Sequence, residues 1–439
     1  MSSRGSEQYR EVAEASLRWV LAQVRYDDQG PWIPAAVTDE PAADPPWDRH
    51  GTHSGIGGLA HLLAEARATR PWSAEESALA ADIATVLRAA ISTQSDATFF
   101  DGLVSTIGAL HALGGAGAPE AVARLRGLAT ADGWPQTALS GPRYVTGARI
   151  SDLTLGTAGV LAGAVWAARA RVPGADDLAQ TAADVLLAEA EDVPTGLDWR
   201  FVPARFLREA PGGVMPNLSH GLAGIAATLA LAGAQLDRPD LVDAAGAGAA
   251  HLVSLADTSD DGFVVPRMIP TPADQEEVTY TWCHGPAGTS LLFRALEHAG
   301  VEQVAGESPA SWQRRCLHSV RTSGLPARLR PGFWDNDGRC CGTAGVADVF
   351  LDAWHHSGDE DDLAFAFDLA DTVVERAVRT GPHACWRFLE HRAPEPLLPP
   401  GVGWMQGAAG ISAYLFHAGR VAGDPTSPAV ARIDNWWAW

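Results

Sequence analysis

The sequence predicts an all-α protein, an α/α toroid of about seven helical-hairpin repeats with short strand-like insertions at its mouth. Three observations carry this reading: a recurrent glycine turn, an apolar stretch after every turn, and an amphipathic stretch between turns. The turns read SGIGG (Ser54–Gly58), DGLVS (Asp101–Ser105), LGTAG (Leu155–Gly159), HGLAG (His220–Gly224), HGPAG (His284–Gly288), CGTAG (Cys341–Gly345) and QGAAG (Gln406–Gly410). Their first glycines recur at intervals of roughly 47 to 65 residues, the period of a helical repeat.

The elements follow in chain order. Residues 1–50 are expected to form an N-terminal helix and a Pro-rich lead-in packed on the barrel, because the prolines of residues 28–52 rule out helix throughout. From residue 51 the repeats begin, and residues 51–439 are expected to be a single toroid domain. Stretches such as GIAATLALAGAQL and GVADVFLDAW read as buried helices. Segments such as PEAVARLRGLA and DDLAFAFDLADTVVERAVR carry their charges on one face. Two helices per unit, one apolar all round and one amphipathic, suit two concentric layers. Longer insertions precede the fourth, fifth and sixth turns and contain the strand-like pieces DWRFVPA, DGFVVPRMIP and PGFWDND. An open solenoid needs polar capping repeats at its ends. The last copy, WMQGAAGISAYLFHAG, is as apolar as the middle ones, which favours a closed ring.

Glycine at each turn is expected to permit positive φ and a close approach of neighbouring backbones. All the apolar helices then start at one mouth, where Asp101, Asp152, His220, Cys283, His284, Cys340, Cys341 and Gln406 share the phase just before a turn. Loops at such a mouth commonly hold binding function.

Composition excludes several chemistries. The 439 residues carry a formal net charge of −21 and contain no lysine, so Schiff-base, phosphate-loop and kinase lysines are all absent. Nucleic acid is not an expected partner for so acidic a chain. Five cysteines, an odd number, with no signal-like N-terminal stretch point to a reducing cytoplasm. The charge-free run Leu218–Leu236 is of membrane-spanning length, but its Ser, His, Thr, Gln and glycines make it a barrel helix, and no membrane insertion is expected.

Cys283 and Cys340 each stand two residues before a first glycine, and Cys341 one before. Local spacing does not match a zinc ribbon or finger. Repeat register, however, brings all three thiols to one mouth, where they are expected to bind Zn2+. Three protein ligands leave a fourth position for water or substrate, as in catalytic zinc sites. Cys316 and Cys385 lie outside this phase and read as small core residues.

The motifs TWCHGPAG (Thr281–Gly288), CCGTAG (Cys340–Gly345), NLSHGLAGI (Asn217–Ile225) and SDLTLGTAG (Ser151–Gly159) make the chain resemble the lanthionine synthetase C-like family. The resemblance spans nearly the whole sequence. It implies a zinc-dependent lanthipeptide cyclase, adding a peptide cysteine thiol to dehydroalanine or dehydrobutyrine to form (methyl)lanthionine thioether rings. It also implies Cys283, Cys340 and Cys341 as metal ligands and His220 and Asp152 as the catalytic pair. The sequence departs from the family in having Cys341 where histidine is common, Thr279 where an arginine is usual and His284 where a tyrosine is usual.

Thiol addition generates an enolate whose α-carbon must gain a proton, and His220 has the pKa range and phase for that task. Asp152 is expected to orient His220 or to help remove the thiol proton, and His284 to act as a second donor or to bond a metal-bound thiolate. A dehydrated precursor peptide and a separate dehydratase are the implied partners. Two other readings keep the same residues: addition of a small thiol such as glutathione to dehydroamino acids, and a non-catalytic zinc-containing scaffold that binds peptide.

Overall fold

The computed structural model describes residues 3–40, 44–136, 139, 141–209, 211–273, 275–327, 336–389 and 394–438. It contains the helices α1 (Ser3–Leu21), α2 (Ile56–Thr69), α3 (Ala74–Ala90), α4 (Leu103–Ala112), α5 (Ala118–Leu128), α6 (Thr157–Arg169) and α7 (Ala175–Ala188). They continue as α8 (Leu222–Leu236), α9 (Pro239–Leu255), α10 (Pro286–His298), α11 (Pro309–Thr322), α12 (Thr343–Ser357), α13 (Glu360–Arg376) and α14 (Ala408–Gly423). Contacts divide the chain into two compact units. Unit 1 comprises Met1–Ala90, Gly108–Gly117 and Gly324–Ala438, and unit 2 comprises Ile91–Ile107 and Ala118–Ser323.

In unit 2 the apolar helices α6, α8 and α10 pack side by side, and each is paired with the amphipathic helix that follows it. The difference between the two kinds is visible in α8 and α9. Every residue from Leu222 to Gly233 of α8 is buried, whereas α9 buries Leu241, Ala244, Ala245, Gly248, Ala249 and Leu252, one helical stripe. In unit 1, α14 packs between α2 and α12. Among the described residues no long helix follows α14, and α1 packs against it. Ser6 Oγ donates to the Gly419 carbonyl and Ser412 Oγ to that of Ala13, both at 2.8 Å. The sequence GDEDD begins α13 as its charge pattern implies: the Asp359 carboxylate accepts from the Asp361 amide at 2.9 Å.

The strands are short antiparallel pairs: β1 (Arg25–Asp27) with β2 (Gly30–Trp32), β3 (Glu191–Val193) with β4 (Gly196–Asp198), β5 (Val378–Thr380) with β6 (His383–Cys385), and β7 (Arg387–Leu389) with β8 (Leu397–Pro400). Only Asp198 of DWRFVPA falls in one of them. DGFVVPRMIP forms single bridges, Val264 to Asp257 and Ile269 to Val214. Of PGFWDND, residues 331–335 lie outside the described residues. Pro203 in DWRFVPA and Pro266 and Pro270 in DGFVVPRMIP remove ladder donors and limit pairing.

Of the two reasons expected for glycine at the turns, close approach is found and positive φ is not. The first glycines capping α2, α6, α8, α10, α12 and α14 all have extended, negative φ, such as −122° at Gly285. What they need is space. The loop before each helix lays its carbonyls over the first-turn amides, which have no helical partner. Before α6, the carbonyls of Ile150, Ser151 and Asp152 accept from the amides of Thr157, Ala158 and Gly159 at 3.0 to 3.2 Å. A Cβ on Gly288 would lie 1.8 Å from the Trp282 carbonyl oxygen. Gly288→Ala is therefore expected to destabilise the fold by about 2–3 kcal/mol in a denaturant titration. Gly246→Ala, in the middle of α9 with nothing within 4 Å of its new methyl, is expected to stabilise by about 0.5–1 kcal/mol.

Among the described residues, no helix is long and apolar enough to cross a membrane. The charge-free run Leu218–Leu236 supplies α8 instead.

Candidate active site

The turns are joined to one another by their backbones. In unit 2 the Phe99 amide donates to the Thr154 carbonyl at 3.0 Å, Thr154 to Ser219 at 3.3 Å, and Ser219 to Cys283 at 3.0 Å. In unit 1 the Cys340 amide donates to the Met405 carbonyl at 2.9 Å, and Met405 to His53 at 3.1 Å. Thr154, Ser219, Cys283, Cys340, Met405 and His53 all stand two residues before a first glycine. Repeat register thus becomes adjacency within each unit.

Unit 2 brings together Asp152, His220, Cys283 and His284. Asp152 is fully buried, and each of its oxygens is engaged. Oδ1 accepts from the Leu155 amide at 2.8 Å, while Oδ2 accepts from Thr154 Oγ at 3.0 Å and from His220 Nδ1 at 2.6 Å. This arrangement puts the imidazole proton on Nδ1, a tautomer assigned from its carboxylate partner, and leaves Nε2 directed away from the aspartate. The His220 side chain keeps 29% of its surface exposed, so a reactant has access to it. Burial draws His220 toward the neutral form, but the hydrogen bond and charge of Asp152, with Cys283 nearby, outweigh it. The net effect holds His220 above the ordinary histidine value. Phe201 meets its ring edge-on at 5.9 Å and is itself held by its carbonyl, which accepts from the Ser151 amide at 2.9 Å.

His284 lies with its ring centroid 5.5 Å from that of His220. Burial pushes it below the ordinary histidine value; Cys283 works against that shift, while His220 and Arg267 add to it. The two adjacent histidines are thus driven apart, one toward the charged form and one toward the neutral, an arrangement suited to distinct proton-transfer roles. Cys283 is 4% exposed, with its Sγ 3.4 Å from Thr281 Oγ. Thr281 in turn lies 3.4 Å from Thr279 Oγ, so Thr279 belongs to a buried hydroxyl chain leading to the sulfur.

Unit 1 carries Cys340 and Cys341 on the turn into α12, their sulfurs 3.2 Å apart. None of the described cysteines forms a disulfide. Asn336 shapes this turn: its Oδ1 accepts from the Gly338 amide at 2.8 Å and its Nδ2 donates to the Cys341 carbonyl at 3.3 Å. Cys340 and Cys341 offer two neighbouring thiols in unit 1, and Cys283 offers a third in unit 2. The donor chemistry fits zinc, which favours thiolates at about 2.3 Å in tetrahedral geometry. Two sulfurs on one such ion stand about 3.8 Å apart, a few tenths of an ångström beyond the separation of Cys340 and Cys341. Cys316 and Cys385 are buried elsewhere, and burial pushes both thiols above their ordinary value.

Thr154, Ser219, Thr281 and Arg267 were not singled out by the sequence. Thr154 and Ser219 share the register of Cys283, and that signal was present. Arg267 was not readable, because it acts on His220 and His284 from an irregular insertion.

A family model described as lanthionine synthetase C-like protein matches residues 46–420. The solved structure of nisin cyclase is similar, with a TM-score of 0.54 and 13% identity over 84% of this chain and 89% of that one. The Lin0763 protein from Listeria innocua is also similar, with a TM-score of 0.51 and 10% identity over 95% and 98% of the two chains. At these identities the likeness to solved structures is one of fold. A search of the curated proteins found no match. The family match and the helical repeats place the chain in the all-α, α/α-toroid fold class.

Proposed function

We propose a thioether-forming activity for this chain, which belongs to the lanthionine synthetase C-like family. The reaction is addition of a peptide cysteine thiol to a dehydroalanine or dehydrobutyrine. The observation that carries the proposal is the Asp152–His220 pair, 2.6 Å apart, with Cys283 among the charges that raise the imidazole. In the addition the thiol gives up its proton to solvent, a sulfur–carbon bond forms at the β-carbon, the carbon–carbon π bond breaks, and the α-carbon takes up a proton from a donor that solvent then recharges. The protonated imidazole of His220 is the donor. Asp152 fixes its tautomer and favours its charged form, and Thr154 fixes Asp152 from the side. His284, kept neutral, offers a hydrogen bond to sulfur or carbonyl without competing for the proton.

Cys283, Cys340 and Cys341 are proposed as zinc ligands, and zinc bound there keeps a coordinated thiol in its thiolate form. A dehydrated precursor peptide is the proposed substrate, supplied by a separate dehydratase. Nisin cyclase, similar in fold, is named for a peptide ring closure, and that supports a peptide over a small thiol as the nucleophile's source. The cytoplasm is the proposed location.

Metal analysis of the purified protein tests the centre. About one zinc per chain is expected, and the Cys340→Ala/Cys341→Ala double variant is expected to lose it. Well-folded wild-type protein without zinc would overturn the metal assignment and favour the peptide-binding scaffold.

A further inference from the structure

Arg339 immediately precedes the Cys340–Cys341 pair, and its guanidinium is anchored inside unit 1. Its Nη2 donates to Asp348 at 2.6 Å and lies 3.5 Å from Asp434. Its Cζ sits 4.6 Å from the Trp404 ring centroid. Both the Arg339 and Cys340 amides donate to the Met405 carbonyl, at 2.8 and 2.9 Å. Gly410 leaves room for the arginine, since a Cβ there would lie 2.6 Å from its Cδ. The backbone that carries the thiol pair is therefore tied down from two directions.

The anchor itself is built by the C-terminal segment. After α14 ends at Gly423, the chain turns back and buries Arg432, Ile433, Asp434 and Asn435. Arg432 Nη2 donates to Asp348 at 2.7 Å, its Nε to Asp434 at 3.0 Å, and its Nη1 to Glu65. Asp434 accepts from Trp404 Nε1 at 2.9 Å, which fixes the ring under Arg339. Ile433 fills the space left at Gly108, where a Cβ would lie 2.6 Å from its Cγ2. The side chains that hold Arg339 thus include a residue almost one hundred positions further along the chain.

We propose that the C-terminal segment Arg432–Asp434 positions the Cys340–Cys341 thiols for metal by clamping Arg339. Asp434 shares both Arg339 and Trp404 and is the pivot; Arg432 holds Asp434 and Asp348 in place. These are positioning residues, since none of them offers a ligand to the proposed centre. Charges buried together lock one geometry because each, once its partner moves, is left unpaired. The inference rests on the zinc reading above for its functional meaning, and on the geometry alone for the placement of the thiols.

The test uses the full chain with Asp434→Asn, which keeps side-chain size and an acceptor for Trp404 but removes one of the two carboxylate charges that face Arg339, Asp348 being the other. Tyr414→Phe serves as control: it removes a buried hydrogen bond to the Ala366 carbonyl in the same unit and leaves the clamp intact. Zinc affinity is read by chelator competition, thermal midpoint by circular dichroism, and thiol placement by the rate of reaction with a trivalent arsenical, which bridges two neighbouring thiols. Asp434→Asn is expected to weaken zinc binding at least tenfold and slow the arsenical several-fold, while Tyr414→Phe changes neither at a comparable thermal midpoint. Unchanged affinity and arsenical rate in folded Asp434→Asn would overturn the clamp, as would equal losses in the control. If the wild type binds no zinc, the metal reading fails by itself, and the arsenical rate on the metal-free proteins decides the clamp.

Discussion

His220→Ala is expected to slow thiol addition to a dehydrated peptide by about 10²–10⁴-fold while leaving zinc content unchanged. The size follows from loss of a positioned proton donor, and the retained metal separates catalysis from folding. The acid form of His220 does the work. Its pKa lies above the ordinary value, chiefly because Asp152 outweighs the opposing effect of burial, so the rate is expected to persist past pH 6.5 and fall as pH rises through the raised value. Asp152→Asn removes the charge and moves that limb to lower pH, with a smaller loss in rate at acid pH than at neutral pH. A limb that stays in place in Asp152→Asn would show that another group supplies the proton.

Asp348→Ala is expected to cost about 3–5 kcal/mol of stability, the range for leaving buried charges unpaired. Asp348 is 4% exposed and receives both Arg339 and Arg432, with the His417 ring nitrogen 3.1 Å away. Denaturant titration of the variant beside wild type measures the loss, and a change under 1 kcal/mol would show that water or a rearranged carboxylate takes over. Exposed pairs such as Arg205 with Asp132 carry no such expectation, because solvent screens them.

The same cluster predicts acid sensitivity from two directions. Burial alone would raise the carboxyls of Glu65, Asp348 and Asp434, but the facing arginines hold all three below their ordinary values. Their contribution is complete above the unfolded value near pH 4 and is lost as pH falls through the lowered folded values. His61 adds a higher window. Burial lowers it to about 4, so the folded state keeps it neutral while the unfolded chain takes up a proton near pH 6.5. Stability therefore drops between pH 6.5 and 4, by about 3 kcal/mol for this one group. In His61→Phe, that part of the pH dependence is expected to disappear.

The repeat, the alternation of apolar and amphipathic helices and the cysteine phase were readable in the residues themselves. Each is a local property: α8 is buried all round because its own sequence carries no charge, and the turn needs glycine because its own loop crosses its first amides. His220, Asp152 and Cys283 came from the same register, and unit 2 puts them in one place. Register says where a side chain stands along a repeat, not which neighbour it bonds. The opposite shifts of His220 and His284 come from a carboxylate 68 residues away in one case and burial in the other. The grip of Arg432 and Asp434 on Arg339, and the packing of α1 against α14, join residues too far apart in sequence for any periodicity to link. Those pairings are decided by which charges and surfaces are desolvated together, and only the packed tertiary structure specifies that.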